Sequence, residues 1–422
     1  MDILSDLDRR GLVQDTTDRS ALHALIEQGP ITLYYGCDPT AASLHHGNLI
    51  GLLTLRRFQD AGHRPLALAG GATGMVGDPG GRSAERNLLD RDTLAVNVAA
   101  IKSQIGRLLG PEGPWTLVDN LSWTGDVLLL DFLRDVGKHV TVNQMVARES
   151  VKARMAGENG ISFTEFSYML LQANDYAWLH EREGCVLQIG GSDQWGNILS
   201  GVDLIRRRHG AVVHGLCWPL LTNAAGAKLG KSTGARVWLD PEMTSPYAFY
   251  QHFLQTDDVD VPRMLAQFTL LPMDDVDALV AAHQAAPDQR LGQKTLAAEV
   301  TEVVHGPAAL AAVHQATAVL FGADPREASA EALAAVAREV PGATLAPGES
   351  LAEGVDLAAV LVRTGLASSG GDARRQIDQH GISVNGRKVE AGRPLTTDDL
   401  VQDRWVLLRK GKKGWAVLDA GA

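Results

Sequence analysis

Within the first 220 residues, short apolar runs that end at glycine alternate with stretches of helical periodicity, and that alternation admits few folds. Ile31–Tyr35 is apolar, β-branched and aromatic and stops at Gly36, as a buried strand does. Leu49, Leu52, Leu53, Leu55 and Phe58 follow at helical spacing as far as Gly62. Pro65–Ala69, Trp115–Val118 and Val186–Ile189 are three more runs of the strand type, the first closed by Gly70 and Gly71. Strand, helix, strand in this rhythm predicts an α/β fold: a Rossmann-like domain with a parallel sheet and helices on both faces, over residues 1–222. At 422 residues and 45% apolar content, the chain can bury a large core in more than one domain.

The texture then changes twice. From 246 to 322 the β-like runs vanish, and Leu296, Val300, Val303 and Val304 recur at helical spacing, which predicts a helical domain. Between 323 and 354, Pro325, Pro341 and Pro347, with Gly342 and Gly348, read as a linker carrying one short helix. Residues 355–422 read as a small α+β domain. It has two short helices (357–364 and 373–380), a hairpin turning at Asn385-Gly386, and a second turning at Lys410–Gly414.

Several classes of function are set aside on composition. No run of 18 apolar residues occurs, so no membrane span is expected, and Met1–Asp6 has no basic-then-apolar pattern of a secretory signal. A cytoplasmic location is therefore expected. Cys37, Cys185 and Cys217 lie far apart, and among 13 histidines only His45 and His46 adjoin, so neither zinc nor any other protein-held metal is expected. The net charge of −11 argues against a nucleic-acid partner when taken whole. Residues 351–422, however, hold 11 Lys and Arg against 9 Asp and Glu, while the preceding 350 hold 28 against 41. The acidity belongs to the body and the basic groups gather in the tail.

Glycine-rich stretches fall where strands end, which is where open α/β sheets bind ligands. None has a common signature: Gly226–Ser232 is one residue short of a P-loop, Gly190–Gln194 lacks the last glycine of a nucleophile elbow, and Gly70–Gly74 lacks the dinucleotide spacing. What remains is a nucleotide site made of side chains. Asp38–Asn48 joins the first strand to the first helix; His45 and Asn48 share one face of its first turn and can donate to phosphate oxygens beside the helix N-terminus. Gly47, without a side chain, can let a purine ring lie close. The competing reading makes His45 and Ser43 no more than helix caps. Lys228 and Lys231, three apart on a glycine-punctuated loop spanning 223–245, can fold over a triphosphate and neutralise charge on a leaving pyrophosphate.

These two motifs resemble those of class I aminoacyl-tRNA synthetases: Asp38–Asn48 is similar to the His-x-Gly-His signature with Asn48 in the last position, and Lys228–Ser232 to the Lys-Met-Ser-Lys-Ser loop with Gly230 replacing its first serine. Tyr34–Thr40, Gly70–Pro79, Phe163–Tyr168, Gln188–Asn197 and Lys294–Gly306 resemble the bacterial tyrosyl enzymes, and 355–422 resembles their S4-type RNA-binding module. The resemblance implies a homodimeric, ATP-dependent ligase that activates L-tyrosine as tyrosyl-adenylate and transfers it to tRNA(Tyr). It assigns Tyr34 and Asp175 to the tyrosine hydroxyl, Asp78, Tyr168 and Gln172 to its α-amino group, and Gln188 to the neighbourhood of its carboxylate. ATP would meet Gly36, Asp38, Thr40, His45, Gly47, Asn48, Asp193, Gln194, Lys228, Lys231 and Ser232, with Mg²⁺ carried on its phosphates. His45, Lys228 and Lys231 would stabilise the transition state, and Arg82 and Arg86 would belong to a mobile phosphate-binding loop. In the tail, Arg374, Arg375, Arg387, Lys388, Arg409, Lys410, Lys412 and Lys413 stand where an RNA backbone can reach them. Apolar 127–133 would serve the dimer interface or the core. The tryptophanyl enzymes share the fold, but the pairing of Asp175 with Tyr34 and the S4-like tail favour tyrosine. The alternative from another class is a non-catalytic RNA-binding or regulatory relative, which would have no chemical reason to keep His45, Lys228, Lys231 and Asp175.

Overall fold

The computed structural model describes residues 2–79, 89–111, 113–157, 160–220 and 236–421, in two units: Met1–Met243 with Gln255–Glu299, and Thr244–Leu254 with Val300–Ala422. In the first unit the alternating runs form a six-stranded sheet from β1 (Asp15–Thr16), β2 (Thr32–Cys37), β3 (Arg64–Ala69), β4 (Thr116–Asp119), β5 (Cys185–Gly191) and β6 (His214–Trp218). The order is β1-β6-β5-β2-β3-β4, parallel throughout except for β1, which runs antiparallel to β6. From β2 the chain moves outward through β3 and β4, then returns to β5 on the other side of β2. The carboxyl ends of β2 and β5 therefore flank the switch point at which such sheets hold ligands. Register places Tyr34 of β2 opposite Gln188 of β5.

Leu33, Leu66, Leu187 and Leu216, one from each of four strands, are fully buried, as an all-parallel interior demands. Strand β6 escapes a periodicity reading because Gly215 interrupts its apolar run. A side chain there would overlap Ile198, so that glycine is what lets the helix Trp195–His209 approach the sheet. The helix Phe163–Glu183 is capped by Ser162, whose Oγ accepts from Glu165 N at 3.2 Å, and ends where Gly184 turns left-handed at φ 66°.

The second unit carries β7 (Gly342–Thr344), β8 (Ile382–Val384), β9 (Arg387–Lys388), β10 (Trp405–Lys410) and β11 (Gly414–Asp419), in the order β7-β11-β10-β8-β9. Both expected hairpins form. Asn385 and Gly386 take φ values of 46° and 80° between β8 and β9, the two left-handed positions that an Asn-Gly turn supplies. In β10 and β11 alternate residues serve opposite faces. Val406, Leu408, Ala416 and Leu418 pack with Leu361 and Ile377 of the helices Leu357–Arg363 and Gly370–Asp378. Trp405, Leu407, Trp415 and Val417 pack with Leu333 and Val336 of the helix Ala330–Glu339.

That second cluster corrects the expected linker at 323–354. Its short helix carries Ala332, Leu333 and Val336 at helical spacing and covers one face of the tail's sheet, while β7 extends the same sheet beside β11. The prolines mark turns within a packed layer. Nor does 246–322 make one helical domain: Gln255–Glu299 belongs to the first unit, the flanking segments to the second. Among the described residues, no helix is long and apolar enough to cross a membrane.

Candidate active site

The switch point gathers side chains from five segments into two hydrogen-bonded chains. In one, Tyr168 on the helix Phe163–Glu183 donates to Asp38 Oδ2 at 2.9 Å, and Thr73 Oγ1 donates to Asp38 Oδ1 at 2.7 Å. Asn120, just beyond β4, donates to Thr73 Oγ1 at 3.0 Å and to Asp175 Oδ2 at 2.9 Å; Trp123 Nε1 completes Asp175 at Oδ1, also at 2.9 Å. In the other chain, Asn197 donates to Gln172 Oε1 at 3.1 Å and to Gln194 Oε1 at 3.2 Å, and Gln194 Nε2 donates to Asp78 Oδ2 at 2.6 Å. Tyr168, Gln172 and Asp175 lie on one face of their helix, as the spacing requires. Gly70 is obligatory here, since a Cβ would overlap both Asp38 Oδ1 and Thr73 Oγ1.

At the floor, the Tyr34 hydroxyl and Gln188 Oε1 are buried without a hydrogen-bond partner, on register neighbours of β2 and β5. Buried polar atoms of this kind cost free energy unless something pairs with them. Asp175 lies close enough for its charge to act on the Tyr34 phenol, whose pKa burial raises well above the usual value. Burial likewise pushes Asp175 up to about 7, against the opposing pull of the Asn120 and Trp123 hydrogen bonds. Folding thus raises this pKa from 3.8, so the folded protein holds a proton that the unfolded chain has already released between about pH 4 and 7. Across that window stability falls as pH rises. Asp175→Asn removes the titration, so its melting temperature relative to wild type is expected to rise between pH 5 and pH 8, read by calorimetry at both values. A difference independent of pH would contradict the raised pKa.

His45 is the N-cap of the helix His46–Asp60. Its Nδ1 accepts from Gly47 N at 3.0 Å, while Asn48 Oδ1 accepts from His45 N at 3.2 Å, a reciprocal capping box. The capping reading of His45 is therefore real. Burial lowers its pKa, and with Nδ1 accepting, the neutral ring carries its proton on Nε2 as a donor. Capping and donation thus use different nitrogens. The space over Gly47 belongs to His45, whose Cε1 and Nδ1 would stand 2.8 and 2.9 Å from an added Cβ. The absence of a side chain there serves the cap as well as any ligand.

Gly36, Thr40 and Asp193 are exposed at the carboxyl edge of the sheet or just beyond it. Lys228, Lys231, Ser232, Arg82 and Arg86 lie outside the described residues. The flanks of 221–235 are described: Leu220 lies beside Gly191, and Trp238 bridges His45, with Leu239 N donating to Leu44 O at 2.9 Å. Asn120 and Trp123 carry no signal of their own in the sequence, except that they follow a strand at the ligand-binding edge. Among the described residues, no cluster of three or more His, Cys, Asp or Glu side chains is arranged to hold a metal.

In the second unit, Arg374, Arg375, Arg387, Lys388, Lys410, Lys412 and Lys413 are exposed. Some already have partners: Arg375 pairs with Asp372 at 2.5 Å, Lys388 Nζ donates to His380 O at 2.5 Å, and Lys410 Nζ to Leu366 O at 2.8 Å. Arg409 is half-buried and lies over the Trp415 ring, 4.9 Å from its centroid, which commits it to packing.

Residues 27–322 match the family of class I tRNA synthetases (W and Y), and 333–418 match the tyrosine–tRNA ligase SYY-like C-terminal domain. A tyrosine–tRNA ligase of Opitutus terrae is 51% identical over 422 residues, covering 99% of each chain, and one of Mycobacterium bovis is 51% identical over 421, covering 98% of each. Among solved structures, a C-terminally truncated mitochondrial tyrosyl-tRNA synthetase of Aspergillus nidulans superposes with a TM-score of 0.69 at 33% identity, covering 76% of this chain and 94% of that one. With its catalytic region and its tail both matched, the chain belongs to the tyrosine–tRNA ligase family of class I tRNA synthetases.

Proposed function

We propose that the switch-point site binds L-tyrosine with its phenol at Asp175 and Tyr34, and couples it through ATP to tRNA(Tyr). The observation that carries this reading is the buried Asp175 carboxyl, held by Asn120 and Trp123 beside a Tyr34 hydroxyl with no partner of its own. A phenol O–H donates to the carboxylate and accepts from Tyr34, satisfying both; phenylalanine satisfies neither. Asp78, Tyr168 and Gln172, an acidic and polar set, suit the α-amino group, and Gln188 lies by the carboxylate. In that pose the carboxylate oxygen attacks the α-phosphorus of ATP, a P–O bond forms, and the bond to pyrophosphate breaks. His45 Nε2–H, Lys228 and Lys231 would offset the charge that develops. Asn48, Gly36, Asp38, Thr40, Asp193, Gln194 and Ser232 complete the nucleotide side, and Arg82 and Arg86 its outer phosphate contacts. Mg²⁺ would enter with ATP as part of that substrate. The second step attaches tyrosine to the terminal ribose of tRNA(Tyr), with the exposed basic groups of the tail on the RNA backbone.

Tyrosine-dependent exchange of pyrophosphate into ATP tests the reading. Exchange with tyrosine and charging of tRNA(Tyr) are expected. Exchange with tryptophan alone would overturn the specificity, and exchange with no amino acid would favour a non-catalytic relative.

A second copy of the chain is the proposed cover for the apolar stretch Leu128–Leu130, whose residues are 70–77% exposed, next to Leu133 at 45%. Leu130→Asp is expected to convert a dimeric mass in sedimentation to the monomeric one. An unchanged dimer would move the interface elsewhere.

A further inference from the structure

The helix Arg91–Leu109 buries Leu94, Val98, Ile101, Ile105 and Leu108, the apolar stripe that its spacing supplies. Two polar residues interrupt that face: Asn97 and Gln104, two helical turns apart, are only 5% and 3% exposed. Amides are tolerated at such depth when their hydrogen bonds are made, and both make theirs to one place, the turn joining β2 to the helix His46–Asp60. Asn97 Nδ2 donates to Pro39 O at 3.1 Å. Gln104 takes hold nearer the helix. Its Nε2 donates to Ala42 O at 3.2 Å, and its Oε1 accepts from Leu44 N at 2.9 Å.

The far side of the turn is held by 237–240. His46 N donates to Val237 O at 3.0 Å and Leu239 N to Leu44 O at 2.9 Å, with His45 paired to Trp238 between them. Ser43 joins the two supports. Its Oγ accepts from Asp240 N at 3.0 Å, and its one hydrogen can go to Leu44 O at 2.7 Å or to Gln104 Oε1 at 3.2 Å. Both backbone groups of Leu44 are thereby fixed, the N–H by Gln104 and the C=O by Leu239, immediately before His45. We propose that Gln104 is a positioning residue for tyrosine activation: through the backbone of 42–44 it sets where the His45 ring stands, and Ser43 carries the same constraint to 237–240. Buried beneath the turn, Gln104 acts through it and not by touching substrate. This role rests on the reading of His45 as a donor to the reacting phosphates.

Gln104→Met keeps the length of the side chain and removes both hydrogen bonds. Pyrophosphate exchange is measured per active site, counted by the burst of adenylate, so that loss of folded protein does not enter the rate. The expected result is a fall in kcat of about 10- to 100-fold, the scale set by a small misplacement of a catalytic group, with KM for tyrosine near wild type. Ser43→Ala, a milder change should Gln104→Met fail to fold, is expected to lower kcat about three- to tenfold, the worth of one ordinary hydrogen bond. Added to His45→Ala, either substitution should change little further. An unchanged kcat in the folded variants, a matching rise in KM for tyrosine, or losses that multiply with His45→Ala would overturn the assignment. His45→Ala alone, set against wild type, reports separately on the underlying reading. Hydrogen–deuterium exchange decides the link even where wild type is inactive. Peptides spanning 38–48 and 236–243 should both exchange faster in Gln104→Met, and unchanged protection would refute it.

Discussion

Asp175→Ala is expected to lower kcat/KM for tyrosine activation by roughly 100-fold or more, with the far-ultraviolet circular dichroism unchanged. The substitution removes the acceptor for the substrate phenol, and hydrogen bonds to a charged group are worth about 1.5–3 kcal/mol. It also strands Asn120 Nδ2 and Trp123 Nε1, both of which point at this carboxyl from 2.9 Å. Trp123 is further fixed by stacking on Trp178 at 4.2 Å between ring centroids, so it cannot easily turn to another acceptor. The fold should survive because Asp175 lies on a 21-residue helix whose packing rests on Ala173, Tyr176, Ala177 and Leu179, all fully buried. Activity near wild type in Asp175→Ala would remove the phenol from this position.

Lys231→Ala is expected to act on a different quantity. Its proposed partner is the charge that appears as pyrophosphate departs, so kcat for exchange should fall by about 10²–10³-fold, the effect of deleting one transition-state donor. The dissociation constant of tyrosine should hold within about twofold. The described residues on either side of 221–235 stand by the site: Leu220 lies beside Gly191 at the tip of β5, and Trp238 bridges His45. A loss seen only in tyrosine binding would assign the lysine another role.

The strands and helices around the site were legible because they are local. Ile31–Tyr35 and Pro65–Ala69 announce themselves by runs of apolar residues, and Tyr168, Gln172 and Asp175 by a spacing that fixes their common face. The two donors of Asp175 were not legible. They stand 55 and 52 residues away, at the cap and within the short helix Leu121–Thr124 after β4, and only the closure of the sheet brings them together. Gly215 hid β6 for the opposite reason: a residue selected by tertiary contact contradicts the local strand pattern. The proline-marked stretch at 323–354 misled in a third way. Prolines signal turns, and whether the segment between two turns packs depends on an apolar stripe as short as Ala332, Leu333 and Val336. His45 shows that two competing readings need not exclude each other, since its two ring nitrogens can serve cap and ligand separately.

In the proposed site, a buried carboxyl and a partnerless phenol recognise the tyrosine hydroxyl. The most direct test of this recognition is the ratio of kcat/KM for tyrosine to that for phenylalanine in pyrophosphate exchange, measured in wild type and in Tyr34→Phe. A large preference for tyrosine is expected in wild type. That preference should shrink in Tyr34→Phe, because the buried hydroxyl that phenylalanine leaves unpaired is gone. A wild-type enzyme that activates the two amino acids equally well, or a ratio that Tyr34→Phe leaves unmoved, would contradict it.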